Sequence, residues 1–437
     1  MNSQPMLHIH LDRRGRLTGD TDLDEIVASL AARGTTDLML FAHGWRNEVD
    51  AARELYGRFF RQCSMLTDAF GTRPGAVVQH AGVFWPATRW ILHGGAASLS
   101  PRPDAGLESA TASLFDEPDE TDEIQRVLQL LHDQPEHDEK LQEFVDRVRY
   151  LASGELSPDS DSDRTPDEDA LEVEALFVDD WRELLETLAV QEPAPPDEGA
   201  AAAANLFGRL WRGARGVFRL LGYWTMKRRA GIIGQDGLGP LLTSLAGRNP
   251  ALRVHLIGHS FGARLVSYAL KGLPDTTTGE SSPVKSLLLL QGAFSHFAFA
   301  DTLPHDRRRG GHLRGMSARV DGPLVATHSV HDSAVRYAYP LASLVARQDA
   351  SRFPDPADRW GAMGDSGARE VGARPVLLGS AGTVHSFEPG RWVNADSSHV
   401  IRTGGPPSGA HSDIVHPETA WLALAAADLV RGSAGTS

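Results

Sequence analysis

The sequence predicts an α/β protein: a mostly parallel sheet flanked by helices, interrupted by a large helical insertion. Three observations predict it. Short apolar runs at residues 37–41, 76–85, 252–257 and 284–290 have the composition of strands buried on both faces. Stretches of helical spacing alternate with them, as at 24–33, 48–60 and 263–271, and strand–helix alternation is the signature of a parallel sheet with covered faces. Between about residues 87 and 234 this rhythm stops, and the composition changes with it.

Taken in order, residues 6–11 read as a strand, 13–15 as a turn and 16–18 as a short return strand. The helix at 24–33 ends at Gly34, the strand at 37–41 follows, and the helix from 48 carries apolar residues at Val49, Leu55, Phe59 and Phe60. Within the interruption, residues 121–151 and 169–190 keep helical periodicity, while 157–169 is poor in apolar side chains and 192–204 is a Pro- and Ala-rich linker. Residues 101–200 hold 30 acidic and 7 basic side chains, so much of the formal net charge of -14 originates here. Residues 205–229 are the reverse: Arg209, Arg212, Arg215, Arg219, Lys227, Arg228 and Arg229 stand among leucines and aromatics with no acid. This is a basic amphipathic helix or helix pair. Three roles fit it: packing on the core, a lipid-facing lid that would give a peripheral membrane contact, or a partner-binding helix. After Gly239 the strand–helix rhythm returns, with strands at 252–257, 284–290, 324–330 and within 391–401, and helices at 240–246, 263–271, 334–344 and 418–429. The predicted organisation is a core of residues 1–86 and 235–437 and an acidic helical cap of 87–234.

Composition narrows the function. The chain has 437 residues, 41% of them hydrophobic, enough for a sizeable core and a large extra segment. Net negative charge argues against a nucleic-acid partner. One cysteine, Cys63, provides neither an internal disulfide framework nor a thiolate metal cluster. No signal-peptide pattern and no run of about 18 apolar residues is present, so the expected location is cytoplasmic. His8 with His10, and His328 with His331, lack companions at ligand spacing, and no phosphate or dinucleotide loop follows a strand, so no metal or cofactor is expected.

The strongest chemical signal is Gly258-His259-Ser260-Phe261-Gly262, between an apolar strand and a helix. A hydroxyl nucleophile needs exposure and a fixed direction, and a sharp strand-to-helix turn supplies both if small residues flank it. Second, His43-Gly44-Trp45 follows a buried strand. A tetrahedral intermediate needs two preorganised N–H donors; the expected pair is Phe261 and Trp45, with Gly44 as the alternative to Trp45. Triad order in such a fold is Ser, acid, His. Asp332, after the strand at 324–330, is the expected acid, with Asp301 as runner-up. His411, in a loop before the closing helix, is the expected base, ahead of His416 and His399.

These stretches, with Val83-Phe84-Trp85-Pro86, resemble the α/β-hydrolase superfamily in its lipase and esterase style. The resemblance covers roughly residues 5–90 and 235–435; the acidic insertion departs from it. It implies a cofactor-free serine hydrolase that cleaves a small-molecule or lipid ester through an acyl-enzyme. A membrane-acting phospholipase or lipase effector, and a non-enzymatic scaffold on the same fold, are the other classes the sequence admits.

Overall fold

The computed structural model of the chain describes residues 5–19, 21–45, 49–87, 118–156, 180–190, 205–304, 306–334, 361–405 and 408–430. Its centre is an eight-stranded sheet: β1 (Leu7–His10), β2 (Asp37–Ala42), β3 (Val78–Phe84), β4 (Arg253–His259), β5 (Val284–Leu290), β6 (Leu324–His328), β7 (Arg374–Leu377) and β8 (Trp392–Asp396). The spatial order is β1-β3-β2-β4-β5-β6-β8-β7, and every pairing in it is parallel.

The reason both faces are buried is legible in single strands. Successive side chains of a strand point to opposite faces. Met39, Phe41, Ile257, Leu288, Leu290 and Val325 share one core with Tyr56, Phe59, Phe60 and Cys63 of α2 (Val49–Phe70) and with Trp421, Leu422 and Leu424. The alternate residues Leu38, Leu40, Leu256, Leu287, Leu289 and Leu324 are equally buried. A parallel sheet sandwiched in this way needs the continuous apolar runs the sequence contains.

The chain divides into two compact units. The first comprises Met1–Thr88, Met226–Arg336 and Gly361–Ser437; the second comprises Arg89–Thr225 and Tyr337–Trp360. The first holds the sheet with α1 (Leu23–Ala32), α2, α8 (Phe261–Lys271), α9 (Met363–Ser366) and α10 (Pro417–Ala426). Among the described residues of the second are α3 (Pro118–Asp133), α4 (Asp138–Leu156) and α5 (Trp181–Ala189). Arg126 and Arg147 tie α3 to α4 through Glu143 and Glu123. The helix α6 (Leu206–Ile232) is followed by a π-helical turn, Ile233–Leu238, and by α7 (Gly239–Arg248).

Several expectations change. The return strand at 16–18 is only one antiparallel bridge, Leu11 to Leu17, because the Asp12 carboxylate accepts from the Arg14 and Arg16 N–H groups and closes the segment as a turn. The single helical stretch at 121–151 is two helices, since Gln134 adopts φ 44 and Pro135 follows it. Strand β7, among residues of mixed Pro, Gly and charge, carries no alternation that would announce it. Residues 206–229 lie in one helix: Leu210, Trp211, Val217, Phe218 and Leu221 are buried while Arg209 is exposed and Arg212, Arg215 and Arg219 are half-buried on the opposite side, but toward its end the charged Lys227 and Arg229 are buried as well. All but the first residue of the helix predicted at 334–344, and the segment 157–169, lie outside the described residues.

Candidate active site

Strands β2 and β4 are neighbours, yet the chain leaves β2 toward β3 on one side and β4 toward β5 on the other. In open α/β sheets, ligands bind beyond the carboxyl ends of the strands at such a reversal. His43-Gly44-Trp45 leaves the end of β2, and Ser260 leaves the end of β4.

Ser260 sits at φ 57, ψ -122, a conformation that costs an L-residue energy and that clusters at functional sites. Neighbouring backbone overdetermines it: its N–H donates to the Leu290 carbonyl (3.1 Å), and its own carbonyl accepts from Ala263 (3.1 Å) and Ala293 (3.3 Å). The turn is possible because its flanks have no side chains. A Cβ on Gly262 would lie 2.0 Å from the Ala42 carbonyl oxygen. A Cβ on Gly44 would lie 2.6 Å from the Ser260 Cβ, so the loop after β2 presses directly on the serine.

The structure brings three of the sequence-predicted residues into one chain of hydrogen bonds. His411 Nε2 is 2.7 Å from Ser260 Oγ, and His411 Nδ1 is 2.8 Å from Asp332 Oδ2. Ser260 and His411 are 151 residues apart in sequence. Asp332 is completely buried; its Oδ1 accepts from the Ala334 N–H (3.1 Å), and residue 332 bridges Gly409 two positions before the histidine. A buried carboxylate accepts only, so His411 must donate from Nδ1, which leaves Nε2 with its lone pair toward the serine hydroxyl.

The alternatives fall elsewhere. Asp301 and His399 are exposed. His416 caps α10 and contacts the Asp413 carboxylate (2.9 Å) and carbonyl (2.9 Å). Trp45 and Phe261 are placed side by side, with ring centroids 6.1 Å apart, on the two loops that meet at Ser260.

Residues given no role by the sequence support these groups. Tyr56 accepts from the His43 N–H (2.9 Å) and donates to the Val83 carbonyl (2.5 Å), while the Trp85 indole donates to the His43 carbonyl (3.0 Å). Both polar groups of His43 are thus tied, and its ring stacks on Trp85. Burial lowers the His43 imidazole to about 4. His259 lies against His411, ring centroids 5.0 Å apart, and donates from Nε2 to the His411 carbonyl (2.9 Å). Burial, reinforced by the neighbouring His411, lowers His259 to about 3, so it stays neutral beside His411. Among the described residues no group of three or more His, Cys, Asp or Glu is arranged to hold a metal ion.

No protein-family model matches this chain, and no curated protein or solved structure matches it.

Proposed function

We propose that this protein is a serine hydrolase built on an α/β-hydrolase fold, cleaving carboxylic esters through an acyl-enzyme. The observation that carries the reading is His411, held between Ser260 Oγ at 2.7 Å and Asp332 Oδ2 at 2.8 Å. A surface serine has no need of a base whose other nitrogen is locked onto a buried carboxylate; a nucleophile does.

In this mechanism the Ser260 oxygen attacks the ester carbonyl carbon while His411 Nε2 takes the hydroxyl proton. Asp332 fixes the imidazole and stabilises its charged form without taking the proton. The N–H groups of Phe261 and Trp45 receive the oxyanion. Collapse of the tetrahedral intermediate breaks the C–O bond of the leaving alcohol, which leaves with the proton from His411. Water, deprotonated by the same nitrogen, then releases the acid and restores Ser260.

The membrane-acting alternative receives no support from α6, whose apolar residues from Leu210 to Trp224 are buried, leaving Leu206 as its exposed large apolar side chain. No helix among the described residues is long and apolar enough to cross a membrane. The test is labelling by a fluorophosphonate together with hydrolysis of p-nitrophenyl esters of rising chain length. The expected result is stoichiometric labelling at Ser260 and turnover that Ser260→Ala abolishes. An unlabelled wild-type protein with no esterase activity would leave the scaffold reading in place.

A further inference from the structure

The end of β5 carries a residue that the mechanism above does not use. Gln291 is completely buried and follows Leu290 directly, with φ 48, in the left-handed region that side-chain-bearing residues avoid. Its carboxamide is bonded on both ends. Nε2 donates to Asp332 Oδ2 (3.0 Å) and to the Gly364 carbonyl (3.0 Å), and Oε1 accepts from the Thr327 hydroxyl (3.0 Å). The Gln291 N–H in turn donates to Thr327 Oγ1 (3.1 Å). The network allows one orientation of the amide. The NH₂ faces two acceptors, a carboxylate and a carbonyl, and a flipped amide would set its oxygen against both.

Asp332 Oδ2 is also the oxygen that accepts from His411 Nδ1. A carboxylate on a single bond can rotate and swing. Here one oxygen is pinned by two donors, Gln291 at the end of β5 and His411 in the loop before α10, and the other by the Ala334 N–H. The Gly364 backbone closes the third side: a Cβ there would stand 3.1 Å from the same Oδ2. A left-handed glutamine at a strand end is costly, and such strain persists where the surroundings fix it for use.

We infer that Gln291 is a positioning residue for the acid of the triad, its amide holding Asp332 Oδ2 where His411 can be oriented, with Thr327 as the lock on the amide. This rests on the hydrolase reading. The amide acts through Asp332 and touches no reacting atom, so its loss lowers kcat and leaves KM nearly alone.

The experiment measures kcat and KM for p-nitrophenyl butyrate from pH 5.5 to 9, with fluorophosphonate labelling rates and melting curves, in wild type, Ser260→Ala, Gln291→Met, Gln291→Glu and Thr327→Val. Gln291→Met keeps the volume and removes the donor; kcat should fall roughly 10–100-fold at every pH, the range typical when an outer partner of a functional ligand is lost. Gln291→Glu puts a second carboxyl against Asp332. Two carboxyl groups at that spacing hold one proton between them and resist losing it. While the proton is present, the introduced carboxyl donates as the amide did; once it leaves, two anions repel. The ratio of variant to wild-type kcat should therefore fall as pH rises, a limb a purely structural role would not produce. Thr327→Val frees the amide and should give a smaller loss than Gln291→Met.

A folded Gln291→Met with wild-type kcat, or a pH-independent ratio for Gln291→Glu, overturns the inference while the hydrolase reading stands. Failure of all the Gln291 and Thr327 variants to fold, where Ser260→Ala folds, overturns it as well, since the network would then serve the fold and not the acid. Absence of Ser260-dependent labelling and turnover in wild type removes the hydrolase reading and this inference together.

Discussion

Serine 260 is held at φ 57 by neighbours that leave no room for a larger turn, and the consequence falls on Gly44. Any side chain at 44 must displace the serine Cβ, only 2.6 Å from where a new Cβ would stand. If the protein acts as the serine hydrolase proposed above, Gly44→Ala should therefore cut kcat for p-nitrophenyl esters by at least about a hundredfold, since misplacement of a reacting group by about 1 Å has that cost. A variant with wild-type kcat would mean that the loop does not press on the nucleophile. His411→Ala should be as inactive as Ser260→Ala, because members of one catalytic unit are not additive. His416→Ala should retain most activity, its partners being Asp413 and the start of α10; an inactive His416→Ala beside an active His411→Ala would reverse the assignment of the base. The residues brought together here were legible as positions: a serine between glycines at a strand end, an acid after a later strand, a histidine before the last helix. Gln291, Tyr56 and His259 were not, because a buried polar residue is assigned by its partners, and these lie 41, 27 and 152 residues away.

Elements were legible wherever one periodicity dominated. Strand β5 begins and ends at the residues its apolar run suggests, 284 and 290. The helix α6 shows where such reading stops: Arg209, Arg212, Arg215 and Arg219 do share an exposed or half-buried side, yet Lys227 and Arg229 further along are buried, Arg229 donating to the Pro86 carbonyl (3.0 Å). Periodicity reports which residues share a side and not whether that side meets water. Within its own unit, the Trp211 indole is buried edge-on to Phe144, centroids 5.8 Å apart, and donates to the Pro135 carbonyl (3.1 Å). Trp211→Ser should destabilise this unit by about 3–5 kcal/mol, the cost of truncating a buried aromatic ring. Thermal melting followed by circular dichroism, with limited proteolysis, would measure it. An unchanged melt would show that the helix is held by something other than this packing.

At the scale of the molecule, acidity has two opposed effects on stability. The formal net charge of -14 means that lowering the pH relieves self-repulsion. Exposed charges are screened by solvent and salt, so this gain is small. Against it stand His43, His80 and His259, with folded-state values lowered by burial to about 4, about 4 and about 3. An unfolded histidine takes its proton near pH 6.5, whereas these three in the folded state do not until far lower. Because the unfolded chain then binds more protons, native stability is full above about pH 6.5 and falls below it, by about 1.4 kcal/mol per pH unit for each histidine. Between pH 6.5 and 5 the three together should remove about 5 kcal/mol, more than relief of screened surface repulsion restores, and burial lowers His8, His255, His328 and His385 in the same direction. That window lies above the ordinary carboxylate range. Asp37 acts later: burial raises its carboxyl, but the His255 and Thr36 hydrogen bonds and the Arg73 charge outweigh burial and lower it, so its contribution is lost only at more acid pH. Urea unfolding at pH 7.5, 6.5, 5.5 and 5 would measure the slope, and His259→Gln should make it shallower by about 1.4 kcal/mol per pH unit, the share of one histidine. Stability that stayed flat from pH 7.5 to 5 would mean that these histidines are reached by water or proton in the folded protein, and that His411 does not stand beside a neutral neighbour.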